Sequence, residues 1–194
     1  MFKKVLLLAV LALALPMAAF ADSSLGITNK GGTLTGNASG FTLTGSTLWI
    51  VGSATGSNLG TLSFTTGAFL TGNAQTGGTL AAGGSFVITG NGTNGVPNGV
   101  IFSGSFSDGA TWEPTLLANG THNYTLKGGL VDASGHVGAT SQLTINTGKG
   151  FFNGSVRLES GDTSLSVPEP GTLSLFGTGL IGLAGAIRRK LSLS

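Results

Sequence analysis

The middle of this chain is written in apolar runs of a few residues, each stopped by Gly, Asn or Asp, and no segment of it reads as an amphipathic helix. Candidate strands lie at 40–44, 47–52, 61–65, 85–89, 99–106, 121–128, 141–147 and 154–159. Several alternate with period two. Val100, Phe102 and Phe106 share one side, as do Tyr124 with Leu126, Leu143 with Ile145, and Val156 with Leu158. Turn chemistry separates them: Asn98-Gly99 and Asp108-Gly109 supply positions that tolerate positive φ. The pattern predicts an all-β body over residues 22–166, arranged as an antiparallel β-sandwich.

A β-solenoid is the alternative. Leu34-Thr35-Gly36, Leu43-Thr44-Gly45, Leu70-Thr71-Gly72 and Ile88-Thr89-Gly90 begin 9, 27 and 18 residues apart, all multiples of nine. The intervening registers carry Gly52, Thr61 and Thr79 where an apolar residue belongs, so the repeat fails about as often as it holds.

The two ends are different in kind. Lys3 and Lys4 precede an apolar run, Val5 to Leu15, which Pro16 stops; Ala19-Phe20-Ala21 then gives a small-x-small site before Asp22. Those three parts in that order predict a secretory signal peptide over 1–21, cut between Ala21 and Asp22. At the other end, Val167-Pro168-Glu169-Pro170-Gly171 is held extended by two prolines that lack an N–H. An uncharged segment, 171–187, follows and ends on Arg188-Arg189-Lys190. As a helix its apolar part, Leu173 to Ile187, spans about 22 Å against about 30 Å of hydrocarbon. The three cations can snorkel to the interface and hold the C-terminus on the cytoplasmic side, so a transmembrane helix is expected.

The Pro-Glu-Pro stretch, the apolar segment and the basic end resemble the PEP-CTERM sorting signal, over roughly the last 27 residues of the chain. The resemblance implies that 167–194 is a tail read by an exosortase, a membrane-embedded cysteine transpeptidase-like enzyme. It implies removal of the tail near Pro168-Glu169-Pro170. The body would then be released, or attached to the envelope or exopolysaccharide matrix of a Gram-negative bacterium. The same tail has carried the name ice-binding protein C-terminal domain.

Charge excludes one class of partner. The sequence pI of about 9.2 comes from the ends. The body sets four cations against six carboxylates, a net of −2, so no basic surface for nucleic acid remains. There is no cysteine, and an exported body without disulfides depends on packing and hydrogen bonds.

Little in the body points to chemistry. His136 follows Asp132 by four, but Ser134-Gly135 marks a turn and no further His or Cys completes a zinc set. His122 reads as an exposed edge residue. Asp108 and Glu113 flank Trp112 as the nearest approach to a glycosidase pair. HExxH, GxSxG and P-loop signatures do not occur. Thr33/Thr35 and Thr42/Thr44 each place two hydroxyls on one strand face, about 7 Å apart, an element of an ice-binding surface but no array on their own. Asn37, Asn91, Asn119, Asn123 and Asn153 each open an Asn-x-Ser/Thr triplet. The expectation is a non-enzymatic surface or matrix protein without cofactor or metal, structural or adhesive in role. A carbohydrate-binding module that stacks sugars on Trp49 or Trp112 is the alternative.

Overall fold

The computed structural model describes residues 24–166. The expected signal peptide 1–21 with its cleavage residues, and the tail 167–194 with its expected transmembrane helix 171–187, lie outside the described residues. Among those described, no helix is long and apolar enough to cross a membrane.

The body is all β, as the alternation implies, but it is a closed barrel and not a sandwich. Its strands are β1 (Ser24–Lys30), β2 (Thr33–Asn37), β3 (Gly40–Val51), β4 (Ala54–Thr55), β5 (Gly60–Thr65), β6 (Phe69–Asn73), β7 (Gly77–Leu80), β8 (Gly83–Asn91), β9 (Asn98–Leu116), β10 (His122–Asp132), β11 (Val137–Asn146), β12 (Ser155–Arg157) and β13 (Ser160–Ser166). Eight of them form a ring in the order β1-β13-β11-β10-β9-β8-β5-β3, and β1 pairs β3 to close it. Seven ladders of the ring are antiparallel, which makes the eighth, between β13 and β1, antiparallel as well.

An eight-stranded barrel has an interior just wide enough to be filled by side chains. Here one face of every strand supplies them. Across the ring, Leu43 lies opposite Phe64, Phe64 opposite Phe86, Leu62 opposite Ile88, Leu130 opposite Phe106 and Leu126 opposite both Trp112 and Leu143. All of these are buried. Phe64, Phe86 and Phe106 make one aromatic cluster, with centroids 5.8 to 5.9 Å apart. Phe41, Trp112, Tyr124 and Phe152 make another, in which Trp112 stacks on Tyr124 at 5.0 Å. Each such ring is worth about 1.5–3 kcal/mol of burial, which exceeds the ~1 kcal/mol of any single added hydrogen bond.

A bend lets β3 serve both the ring and an extension of it. β1 and β2 are one strand broken at Gly31-Gly32, both at positive φ (69° and 83°). β1 pairs the second half of β3, and β2 pairs the first half. At Gly32 a Cβ would sit 2.6 Å from Ser46 N and Thr44 O, so only glycine lets the bend lie this close to β3. β12 then pairs β2 outside the ring. The hairpin β6–β7 hangs from the far part of β9 through β7.

The nine-residue phrases do not mark a solenoid. Leu34-Thr35-Gly36 and Leu43-Thr44-Gly45 lie on neighbouring antiparallel strands, with Leu34 directly opposite Leu43. Leu34, Leu43 and Ile88 are buried, but Leu70 is exposed, so the phrase does not mark one repeated position of a parallel stack.

Candidate functional site

Asx turns recur at the hairpin tips, and they explain three of the five Asn-x-Ser/Thr triplets; Asn123 instead accepts the Asn146 side-chain amide at 2.6 Å. The side-chain oxygen of Asn37 accepts the N–H of Ser39 at 2.7 Å, that of Asn91 accepts the N–H of Thr93 at 3.1 Å, and that of Asn119 accepts the N–H of Thr121 at 3.0 Å. In each case the third residue of the triplet is the one that closes the turn. The Asn is therefore used by the fold itself, while the third residue supplies its backbone N–H. Thr93 and Thr121 add a hydroxyl hydrogen bond to the same Asn oxygen, at 2.6 and 2.8 Å.

The β10–β11 hairpin tip joins Asp132 to His136. Asp132 Oδ1 accepts the backbone N–H groups of Ser134 (2.8 Å) and His136 (2.9 Å), and Asp132 Oδ2 lies 3.2 Å from His136 Nδ1. The backbone hydrogen bond from His136 is the main cause that holds the Asp132 carboxyl below the usual carboxylate range. The pair stands alone: among the described residues no three His, Cys, Asp or Glu side chains come together. His122 is half-buried and not an exposed edge residue. The segment after β11 folds over it, with Thr147 N donating to His122 O at 3.0 Å, and its ring packs against exposed Phe151 at 4.7 Å.

The two tryptophans have opposite fates. Trp112 is 1 % exposed, stacked on Tyr124, with its indole N–H donating to Ala74 O at 2.8 Å. It presents no face to a sugar. Trp49 is 39 % exposed, and the Lys30 ammonium lies over its ring at 4.7 Å. Because Trp112 points inward, it cannot share a cleft with Glu113, which points outward and pairs with Lys127 at 3.3 Å. Asp108 accepts the Ser107 hydroxyl at 3.3 Å.

The threonine pairs combine in a way their spacing did not reveal. Thr33 lies opposite Thr44 and Thr35 opposite Thr42, and the second row runs on to Thr65 and Ser85 in one direction and Ser155 in the other. The hydroxyls are largely spent along the wall: Thr65 and Ser85 share a 3.0 Å hydrogen bond, and Thr35 donates to Thr42 O at 3.4 Å.

An open cleft of about 790 Å³ lies on the outer wall of the barrel, crossing β10, β11, β13, β1 and the end of β3. Two adjacent outward rows shape it. Lys127, Gln142, Asp162, Thr28 and Ile50 form one side, and the second row, Gly129, Thr140, Ser164, Gly26 and Gly52, is too short to fill the space beside it.

The end of the barrel leads directly into the decisive stretch. β13 ends at Ser166, and a family model described as the PEP-CTERM protein-sorting motif matches residues 166–190. This chain carries a PEP-CTERM sorting motif. The match takes in Val167, Pro168, Glu169, Pro170, Gly171, Arg188, Arg189 and Lys190, the residues on which the sequence resemblance rests. The PEP-CTERM motif marks the chain as an exported exosortase substrate made as a membrane-anchored precursor. A search of the curated proteins and of the solved structures found no match to this chain.

Proposed function

We propose that this chain is a non-enzymatic structural or adhesive protein of a Gram-negative cell surface or exopolysaccharide matrix, delivered by exosortase. One observation carries the reading: the PEP-CTERM motif begins at the residue where the last barrel strand ends. A packed domain coupled without a linker to a sorting signal suits a protein whose body is the cargo. The interior supports a structural role, since buried side chains fill it. The wall supports placement in water: its rows carry Thr, Ser, Lys, Gln and Asp, the reverse of the apolar outer band of a barrel that spans a membrane.

The test is co-expression with an active exosortase, following the size of the body and its partition between membrane and medium. The reading requires that the body lose its tail and leave the membrane fraction only when the exosortase is active. A body that stays full-length and membrane-bound in both hosts overturns it.

A further inference from the structure

We infer that the cleft on the barrel wall binds an extended, uncharged polysaccharide strand. The inference deepens the adhesive reading above, because it names what the body would adhere to.

The cleft has the length for a polymer. It crosses five strands, four intervals of about 4.8 Å, or roughly 19 Å along a line perpendicular to them. Its floor is close to bare backbone, because Gly26, Gly52 and Gly129 bring no side chain and Thr140 and Ser164 bring short ones. A flat ring can lie on such a floor while the taller row beside it reaches the ring's edge. The strands beneath are held in a closed ring, so the floor comes shaped before any ligand arrives.

The chemistry selects the ligand by elimination. All five strands are paired on both sides where they pass under the cleft, so no edge is free for a peptide to add as a strand. Ile50 is the one apolar side chain of the tall row, too little to anchor the side chains of a protein partner. Lys127 and Asp162 cancel in charge, and Glu113 holds Lys127 at 3.3 Å, so a polyanion gains no net attraction. What remains is a line of groups along the two rows that both donate and accept: the Gln142 amide in the tall row and the Thr140 and Ser164 hydroxyls on the floor. The Asp162 carboxylate already accepts the Thr28 hydroxyl at 2.8 Å and keeps its second oxygen as an acceptor. Among the described residues, Gln142, Thr140 and Ser164 make no side-chain hydrogen bond within the protein. A chain of sugar hydroxyls, each donor and acceptor, is the polymer that matches such a line.

Affinity electrophoresis of the full chain in detergent tests this, with native gels containing dextran, a β-glucan, a galactomannan or, as the polyanion, alginate. At least one neutral polymer should retard the protein. Gln142→Ala should weaken that retardation by about three- to tenfold, the share of one or two hydrogen bonds. Ser164→Trp should abolish it by filling the floor, while Ser63→Trp on β5, outside the cleft, should leave it unchanged. Melting curves check that each variant is folded, and Gln142→Ala, at an exposed position, carries the test if Ser164→Trp does not fold. No retardation by any neutral polymer, retardation by alginate alone, or retardation indifferent to Gln142→Ala would each overturn the inference. Exosortase trimming is read by size and stands or falls separately.

Discussion

Tyr124 donates its hydroxyl hydrogen to the carbonyl of Gln75 at 2.9 Å, tying the β10 wall of the barrel to the tip of the β6–β7 hairpin. Trp112 makes the neighbouring tie to Ala74, and the Tyr124 oxygen also accepts the N–H of Phe152 at 3.3 Å. The stacked pair thus places its rings in the apolar interior and its polar atoms on the hairpin that covers it. This division of each side chain explains why both are tolerated at almost complete burial.

The two ties should differ in cost. Tyr124→Phe keeps the ring and leaves the Phe152 N–H and Gln75 carbonyl without their partner, so it should lower stability by about 1–3 kcal/mol. Trp112→Ala removes a whole buried aromatic and should cost about 3–5 kcal/mol. Urea denaturation of the two variants checks the order. A Trp112→Ala loss no larger than that of Tyr124→Phe would contradict the core position of Trp112.

Gly32 should resist any side chain. With φ at 83° and backbone atoms 2.6 Å from the place of a Cβ, Gly32→Ala should destabilise by more than about 1 kcal/mol. Gly150→Ala meets nothing within 4 Å and has no such backbone, so it should change stability by less than about 0.5 kcal/mol. Thermal melts of both, side by side, separate the bend from a general intolerance of glycine replacement.

Asp132 should leave a mark on acid stability. Its folded pKa is lowered, first by the backbone hydrogen bond from His136, so between that value and the unfolded value near 3.9 the unfolded chain binds more protons. The contribution is complete above the unfolded pKa and is lost as pH falls through the folded one. Asp132→Asn should therefore flatten the fall in urea midpoint below about pH 4. Parallel curves for parent and variant down to the acid limit would refute the assignment. The carboxylate is half-buried at a hairpin tip, and its partial desolvation opposes the hydrogen bonds, so the effect should be modest and partly screened by salt.

Replacing Pro168-Glu169-Pro170 by alanines should leave export intact and block trimming. Proline lacks an N–H and disfavours helix, whereas alanine favours it, so the variant sequence should continue the helix expected from Gly171 onward into the recognition stretch. Replacing Arg188-Arg189-Lys190 should instead let the apolar segment slip or invert. Immunoblots of membrane and medium fractions distinguish the two, and normal trimming of the alanine variant would show that the Pro-Glu-Pro stretch is not what the exosortase reads.

The sequence alone determined the address of this protein and the all-β character of its body, though not the strands at Ser24–Lys30, Thr33–Asn37, Phe69–Asn73, Gly77–Leu80 and Ser160–Ser166. Sorting signals are read locally, by composition and order, so Pro168, Glu169 and Pro170 with Arg188-Arg189-Lys190 could be recognised without a fold. Alternation likewise exposed the strands with apolar inner faces, such as those around Leu126 and Leu143, but it misplaced Val100, which a register shift between Ile88 and Thr89 turns outward from the side of Phe102 and Phe106. Closure was decided by tertiary structure, because a sandwich and a barrel bury the same face of the same strands. The two strands that close the ring were the least legible. β1 turns Asn29 inward beside Ile27, and β13 turns in Gly161 and Thr163, so neither shows an apolar period. Those residues are chosen by each other: Asn29 donates to Ser46 at 2.7 Å, and a Cβ on Gly161 would meet the Asn29 side chain at 2.6 Å. The cleft was invisible for the same reason. Lys127, Gln142, Asp162 and Thr28 are far apart in sequence, and only the register of four antiparallel strands sets them in one row.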